Sequence, residues 1–206
     1  MIEAHQQELT HTDTNPLCGI VGNSFKLPTL VLDLDETLVF STQLPTRHNS
    51  FPIRVGRCMA YVRIRPGTIE FIEKVSQFYE VFFFTASCKD YANKIIDKIA
   101  PEIDRNHRLF RESCTDYNGM FIKDLKILKR PLNRALLVDD IASSGLFQPP
   151  NHIRILPWFG DETDNVLLEE LLPLLLSIPA EDNIPRAMHK NYEESNYNSL
   201  FLSKLI

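Results

Sequence analysis

The stretch T-L-V-L-D-L-D-E-T, residues 29–37, decides how this chain folds. Residues 29–34 (T-L-V-L-D-L) are apolar, partly β-branched, and run into acids. A continuous apolar run of that length suits a strand buried on both faces, as strands of parallel sheets are. Working outward, the pattern recurs at residues 81–84 (V-F-F-F), 108–110, 135–138 (A-L-L-V) and 153–156. Amphipathic segments lie between these runs. Ile69, Ile72, Val75 and Phe78 recur at helical spacing after the turn dipeptide Pro66-Gly67. Tyr91, Ile95 and Ile99 do the same and stop at Pro101. Residues 166–178 make a last helix.

Strands alternating with helices build βαβ units with right-handed crossovers. The expected fold class is therefore α/β, a Rossmann-like three-layer parallel sheet. Two pieces interrupt the alternation. Residues 51–65 read as a small β-hairpin flap, and residues 114–122 carry Asn118-Gly119, the dipeptide of a tight hairpin turn.

The organisation expected is a polar, loose arm over residues 1–26, one dense domain over 27–178, and a polar tail over 179–206. That tail closes on the apolar L-F-L-S-K-L-I. A chain of 206 residues buries about 70% of its unfolded surface, enough to fold without disulfides or a structural metal. An apolar share of 44% beside 24% charged residues excludes a disordered or collagen-like chain. Twenty-two basic against 27 acidic residues leave a net charge of −5, so no basic excess drives binding to nucleic acid or anionic lipid. Cys18, Cys58, Cys88 and Cys114 are scattered, which supports neither a zinc nor a C-x-x-C redox site and suits reduced thiols. Reduced thiols fit the nucleus or cytoplasm. The N-terminus lacks a signal-peptide layout. Residues 166–178 contain Glu169, Glu170 and Pro173 and are far short of the ~20 residues that span a bilayer. A monomer with no membrane span is expected.

Ligands of open parallel sheets sit beyond the carboxyl ends of the strands. Here the first strand ends at Asp33 and Asp35, the second at Thr85 and Ser87, and a later one at Asp139 and Asp140. Lys123 follows the second hairpin. Singly, each has a bland reading: an aspartate caps a helix, a lysine is solvated. Together, in order and each behind an apolar strand or hairpin, they converge on one edge as site residues do. Clustered carboxylates repel and need protons or a cation. Hard oxygen donors without paired histidines suit Mg²⁺, which keeps waters and takes a substrate phosphate. Lysine and threonine then supply donors for the remaining phosphate oxygens. Two aspartates two residues apart, with Leu34 turned away between them, can divide the work. One attacks phosphorus and forms an acyl phosphate; the other protonates the departing oxygen.

D-L-D-E-T-L-V, F-T-A-S, R-E-S-C, K-D-L and V-D-D resemble the haloacid dehalogenase superfamily. More narrowly they are similar to its RNA polymerase II C-terminal-domain phosphatase branch, the small Scp-like and Dullard-like protein serine phosphatases. The resemblance runs over residues 27–178, with R-P-G at Arg65 and P-W-F-G-D from Pro157. It implies that Asp33 is nucleophile and metal ligand. Asp35 matches the general acid/base, which also offers its backbone carbonyl to the metal. Thr85 matches the phosphate-binding hydroxyl, and Lys123 the lysine that orients nucleophile and phosphate. Asp139 and Asp140 match the metal-binding acidic pair; Arg111, Tyr91 and Ser87 match the substrate cleft. The implied cofactor is Mg²⁺ and the implied partner a phosphorylated protein or peptide.

Three positions depart from the pattern. Asp140 replaces an asparagine ligand, Gln43 and Leu44 stand where Ser-Pro-selective members carry an aromatic residue, and Cys88 replaces a larger apolar residue. Spacing also matters. Between Asp35 and Thr85 there is room for the flap and one helix, and no large cap domain fits there or before Lys123. Small-molecule phosphatases of the superfamily commonly carry such a cap, so an open cleft and a macromolecular substrate are expected. The alternatives are a phosphatase for small phosphate esters and a non-catalytic module like the mitochondrial translocase relatives, whose acids have decayed.

Overall fold

A computed structural model describes residues 27–45 and 50–193, and the backbone of residues 200–202. The expected arm, with Cys18, and the last four residues of the tail lie outside the described residues. In chain order the elements are β1 (Thr29–Leu32), β2 (Val39–Thr42), β3 (Phe51–Val55), β4 (Cys58–Ile64), α1 (Thr68–Val75), β5 (Glu80–Phe84) and α2 (Lys89–Ile99). There follow β6 (Arg108–Leu109), β7 (Thr115–Tyr117), β8 (Met120–Ile122), β9 (Ala135–Asp139), β10 (His152–Ile155), α3 (Leu172–Leu176), α4 (Ile184–Glu193) and β11 (Leu200–Leu202).

The main sheet has the order β11-β10-β9-β1-β5-β6. Five strands are parallel, as the apolar runs predict. β1 lies at the centre and is buried at every position. Side chains alternate across the sheet, so its two faces hold two apolar clusters. Leu30, Leu32, Phe83 and Val138 face the larger cluster, filled by Phe71 and Ile72 of α1 and Ile95 and Ile96 of α2. Val31, Phe82, Phe84 and Leu137 face the smaller one, closed by Leu125 and Leu128 of the 3₁₀ turn Leu125–Leu128. No large cap interrupts the sheet connections among the described residues. The flap is a three-stranded sheet, β2-β4-β3, to which β2 adds an edge that hydrophobic patterning does not reveal.

Turn chemistry matches the sequence at two points. Asn118 and Gly119 have φ of 54° and 77°, the double positive φ of a type I′ hairpin, and Tyr117 pairs with Met120 across it. Gly67 opens α1 with φ of 78°, and a Cβ there would lie 2.6 Å from Leu168 Cγ, so no other residue fits without repacking. The helix expected over residues 166–178 begins as a π turn, Leu167–Leu171, in which the Leu172 N–H reaches back to Leu167 O. Pro173 supplies no N–H and crowds the carbonyl four residues before it, which accounts for the widened turn.

The polar stretch after residue 178 also contains regular structure. Ile184 and Met188, one helical turn apart on α4, are fully buried in the larger cluster. β11 then pairs antiparallel with β10, Leu202 opposite Ile153. Three buried side chains in ten residues, one of them Pro185, are too few for the helical period to stand out in the sequence.

Candidate active site

All the strand ends singled out above open on one edge of the sheet. Asp33 continues β1 by one residue, its N–H bonding to Val138 O at 2.9 Å. The chain then turns back at once. Leu38 and Val39 N–H both return to Leu34 O (2.9 and 3.0 Å), and Glu36 takes the left-handed conformation with φ of 56°. Leu34 is fully buried, which turns its two acidic neighbours the other way. Thr37, four residues beyond Asp33, donates its hydroxyl to Asp33 Oδ2 at 3.2 Å.

Lys123 is the electrostatic centre. Its N–H bonds to Ser144 O at 2.9 Å, and its Nζ donates to Asp33 Oδ1 and, at 2.5 Å, to Asp139 Oδ2. Lysine, Asp33 and Asp139 are all buried. Burial disfavours the ammonium, but the two carboxylates outweigh it and hold Lys123 above its ordinary pKa. Burial raises Asp33 well above the usual carboxylate range, against the pull of Lys123 and with a further push from Asp139. Asp140 is raised to about 6, first by burial and then by Asp139. Three acids against one lysine leave an excess of negative charge that a proton or cation must balance.

Asp33, Asp139 and Asp140 each offer a carboxylate oxygen within 4.8 Å of the others. An all-oxygen set of this kind fits Mg²⁺ rather than zinc or copper. The donors are already oriented: Thr37 holds Asp33 Oδ2, and Ile141 N–H holds Asp139 Oδ1 at 2.8 Å. Asp35 is separate from this cluster. Its Oδ2 accepts from Ser87 Oγ at 2.6 Å and its Oδ1 from the Tyr91 hydroxyl. Burial and the Asp35 charge hold the Tyr91 phenol well above its ordinary pKa, so it stays a donor. Ser41 Oγ, 2.6 Å away, must then donate to it.

A cavity of about 480 Å³ connects these groups, with Asp33, Asp35, Thr85, Lys123 and Arg111 in its wall. Thr85 is fixed at the end of β5 by its N–H to Leu109 O (3.1 Å), and its Oγ accepts from Ser87 N at 3.0 Å. Arg111 anchors its Nε on Ala86 O at 2.6 Å and lays its guanidinium over Phe121, 5.3 Å from the ring centre. Every residue expected in the site is therefore drawn to this edge. Ser87, which lines the cavity, and Tyr91, both expected in the substrate cleft, also clasp Asp35. Cys88 is exposed at the start of α2 and Leu44 is 76% exposed, so neither builds a wall. Sequence reasoning gave no role to Thr37 or Ser41, and read Arg65 only as part of the R-P-G motif. Thr37 resembles an ordinary helix-cap partner of Asp33 in sequence; only the fold makes it a ligand-orienting hydroxyl. Glu36 also lines the cavity, its carboxyl raised to about 7 by burial and then by Asp35 and Asp140.

A parallel sheet with acids closing two adjacent strands and a buried lysine bridging them defines an α/β protein of the haloacid dehalogenase type. The family profile described as "NLI interacting factor-like phosphatase" matches residues 28–185, and the chain belongs to that family. It is 42% identical over 153 residues to a "Probable C-terminal domain small phosphatase" of Dictyostelium discoideum, a match covering 72% of this chain and 50% of that protein. It is 37% identical over 169 residues to the human "CTD small phosphatase-like protein", covering 78% of this chain and 59% of the relative. The chain thus spans about half to three fifths of these relatives' length. Among solved structures, the fission yeast RNA polymerase II CTD phosphatase Fcp1 bound to beryllium fluoride superimposes with a TM-score of 0.53 at 20% identity. That match covers 82% of this chain and 55% of Fcp1 and shows the common fold. No helix among the described residues is long and apolar enough to cross a membrane.

Proposed function

We propose that this protein is a Mg²⁺-dependent protein serine/threonine phosphatase working through an aspartyl phosphate on Asp33. The observation that carries the reading is the pairing of Asp33 and Asp35. One is buried and held by Lys123 and Thr37, the other is clasped by Ser87 and Tyr91, and both face the same cavity. Mg²⁺ held by Asp33, Asp139 and Asp140 would neutralise their charge and that of the substrate phosphate. Asp33 forms a bond to phosphorus as the bond to the serine oxygen breaks, and Asp35 gives that oxygen its proton. In the second half a water attacks the same phosphorus, its proton passes to Asp35, and Asp33 is released with inorganic phosphate. Lys123 and Thr85 steady the phosphoryl oxygens. Arg111, stacked on Phe121 at the cavity wall, would meet the substrate chain.

A phosphorylated protein segment is favoured over a small ester because the described connections hold only the flap, helices and a hairpin, leaving the cavity open at the sheet edge. The test is phosphate release from a phosphoserine-proline peptide and from an aryl phosphate, with and without Mg²⁺, in wild type and Asp33→Asn. Mg²⁺-dependent release from the peptide that vanishes in the variant is expected. Activity on the aryl phosphate alone would favour the small-ester reading. Inertness on both would favour a binding module.

A further inference from the structure

Beside the catalytic cavity lies an apolar shelf that neither the catalytic residues nor the core requires. Met120 and Phe121 of β8, with Ile141, form part of the cavity wall and are 36%, 41% and 53% exposed. The shelf continues outward. Tyr117 pairs with Met120 across the hairpin, and its ring meets Phe147 edge to face at 5.8 Å, with Leu146 alongside in sequence. These three are also exposed. Single exposed apolar residues are ordinary, but a contiguous patch of large ones marks a binding surface.

The shelf is built rigidly. The type I′ turn at Asn118-Gly119 fixes the hairpin, Asp116 Oδ1 accepts from Gly119 N at 3.0 Å, and Lys123 N–H ties β8 to the turn at Ser144. Its charge pattern selects the occupant. The positive groups, Lys123 and Arg111, stand at the inner end where the phosphate belongs, and the six shelf side chains carry no charge. Asp35 and Glu36 on the same cavity wall would repel an acidic neighbour of the phosphate.

We infer that this shelf determines substrate choice: it takes a large aliphatic or aromatic side chain two to three residues from the phosphoserine or phosphothreonine of a protein substrate. The spacing follows from geometry, because an extended chain advances about 3.3–3.6 Å per residue and the shelf begins at the cavity wall and reaches across one hairpin pair. The inference rests on the proposed protein-phosphatase activity. Phe121 has a double part in it, packing the substrate and holding Arg111 flat toward the phosphate.

The experiment compares kcat/KM for phosphoserine peptides with leucine, alanine or aspartate scanned through the positions two and three residues on either side. Wild type and a Tyr117→Ser/Phe147→Ser double variant are measured, and an aryl phosphate reports on the chemistry alone. Wild type should favour the best leucine peptide over its alanine twin about tenfold, with aspartate poorest. In the double variant that ratio should fall to about twofold or less. The readout is a ratio on one enzyme, so a general loss of activity cancels. Equal rates on all peptides would overturn the shelf while leaving the phosphatase reading intact, and so would a preference that survives in the double variant. Aryl phosphate turnover with no peptide turnover would overturn the protein-phosphatase reading and the shelf with it.

Discussion

Arg65 grips Asp164 with two parallel hydrogen bonds, Nε to Oδ1 and Nη2 to Oδ2, both 2.7 Å long. The guanidinium is 1% exposed, and its remaining nitrogen donates to Thr37 O at 3.0 Å and Leu156 O at 3.4 Å. One side chain at the end of the flap therefore ties down two loops. One follows β10; the other carries Asp35 and Thr37 into the site. Trp158 N–H reinforces the same junction on Glu36 O at 2.6 Å.

Removing that fork should unfasten the catalytic loop as well as destabilise the fold. Arg65→Met leaves Asp164 unpaired, and loss of one partner from a buried pair costs about 3–5 kcal/mol. Arg65→Lys keeps the charge but not the planar two-point grip, so it should recover only part of the loss. Urea unfolding of the three proteins checks this. A loss under about 1 kcal/mol in Arg65→Met would show that the contact is not structural.

Tyr91 and Ser87 should matter most when the leaving group is poor. A serine alkoxide needs a proton from Asp35, whereas an aryl oxide departs readily without one. Tyr91→Phe removes one of the two donors that aim Asp35. The expected result is a fall of about tenfold in kcat for a phosphoserine peptide, with less than about threefold on an aryl phosphate. Equal losses on both substrates would mean that Tyr91 supports the fold and not the proton transfer.

How much of this was legible in the sequence follows from which signals are local. The parallel core was readable because Leu30–Leu32 and Phe82–Phe84 are buried on both faces, which leaves unbroken apolar runs. Asp33, Thr85 and Asp139 were readable because they end such runs, and Lys123 because it follows the second hairpin; strand ends are where this architecture places ligands. The pairing of Tyr91 with Asp35, 56 positions apart, and of Arg65 with Asp164, 99 apart, leaves no local trace. Ser41 and Thr37 look like ordinary hydroxyls until the chain turns back after Asp33 and β2 pairs with β4 in the flap. β2 and α4 escaped notice for another reason: each buries too few side chains to impose a period.

Asp140 is the acid whose charge departs from the resemblance, and that charge should tighten cation binding. It shares the Asp33 and Asp139 cluster, where each added carboxylate raises attraction for a hard cation. Asp140→Asn should raise the Mg²⁺ concentration needed for half-maximal thermal stabilisation by about tenfold, a readout independent of turnover. The ligand-free variant should melt no lower than wild type, because it relieves repulsion with Asp139. Identical Mg²⁺ titrations would show that Asp140 does not act on the cation.

Away from the site, Asp97 should make a small contribution to stability with a defined pH window. Its Oδ1 accepts from the buried Arg108 Nη1 at 2.5 Å and its Oδ2 from Arg105 at 3.0 Å. The hydrogen bond from Arg108, with the neighbouring positive charges, holds the Asp97 carboxyl below its usual range despite some desolvation. A depressed carboxyl stabilises the fold above its unfolded pKa, ~3.9, and loses that effect as pH falls through the lower folded value. Asp97 is half exposed, and Arg108 keeps its bonds to Ile103 O, so the contribution should be only about 1 kcal/mol. Wild type should therefore exceed Asp97→Asn by that amount in urea unfolding at pH 6, and the gap should close steadily below about pH 4. A gap that persists unchanged to pH 3 would mean that packing of Asp97, and not its charge, supplies the difference.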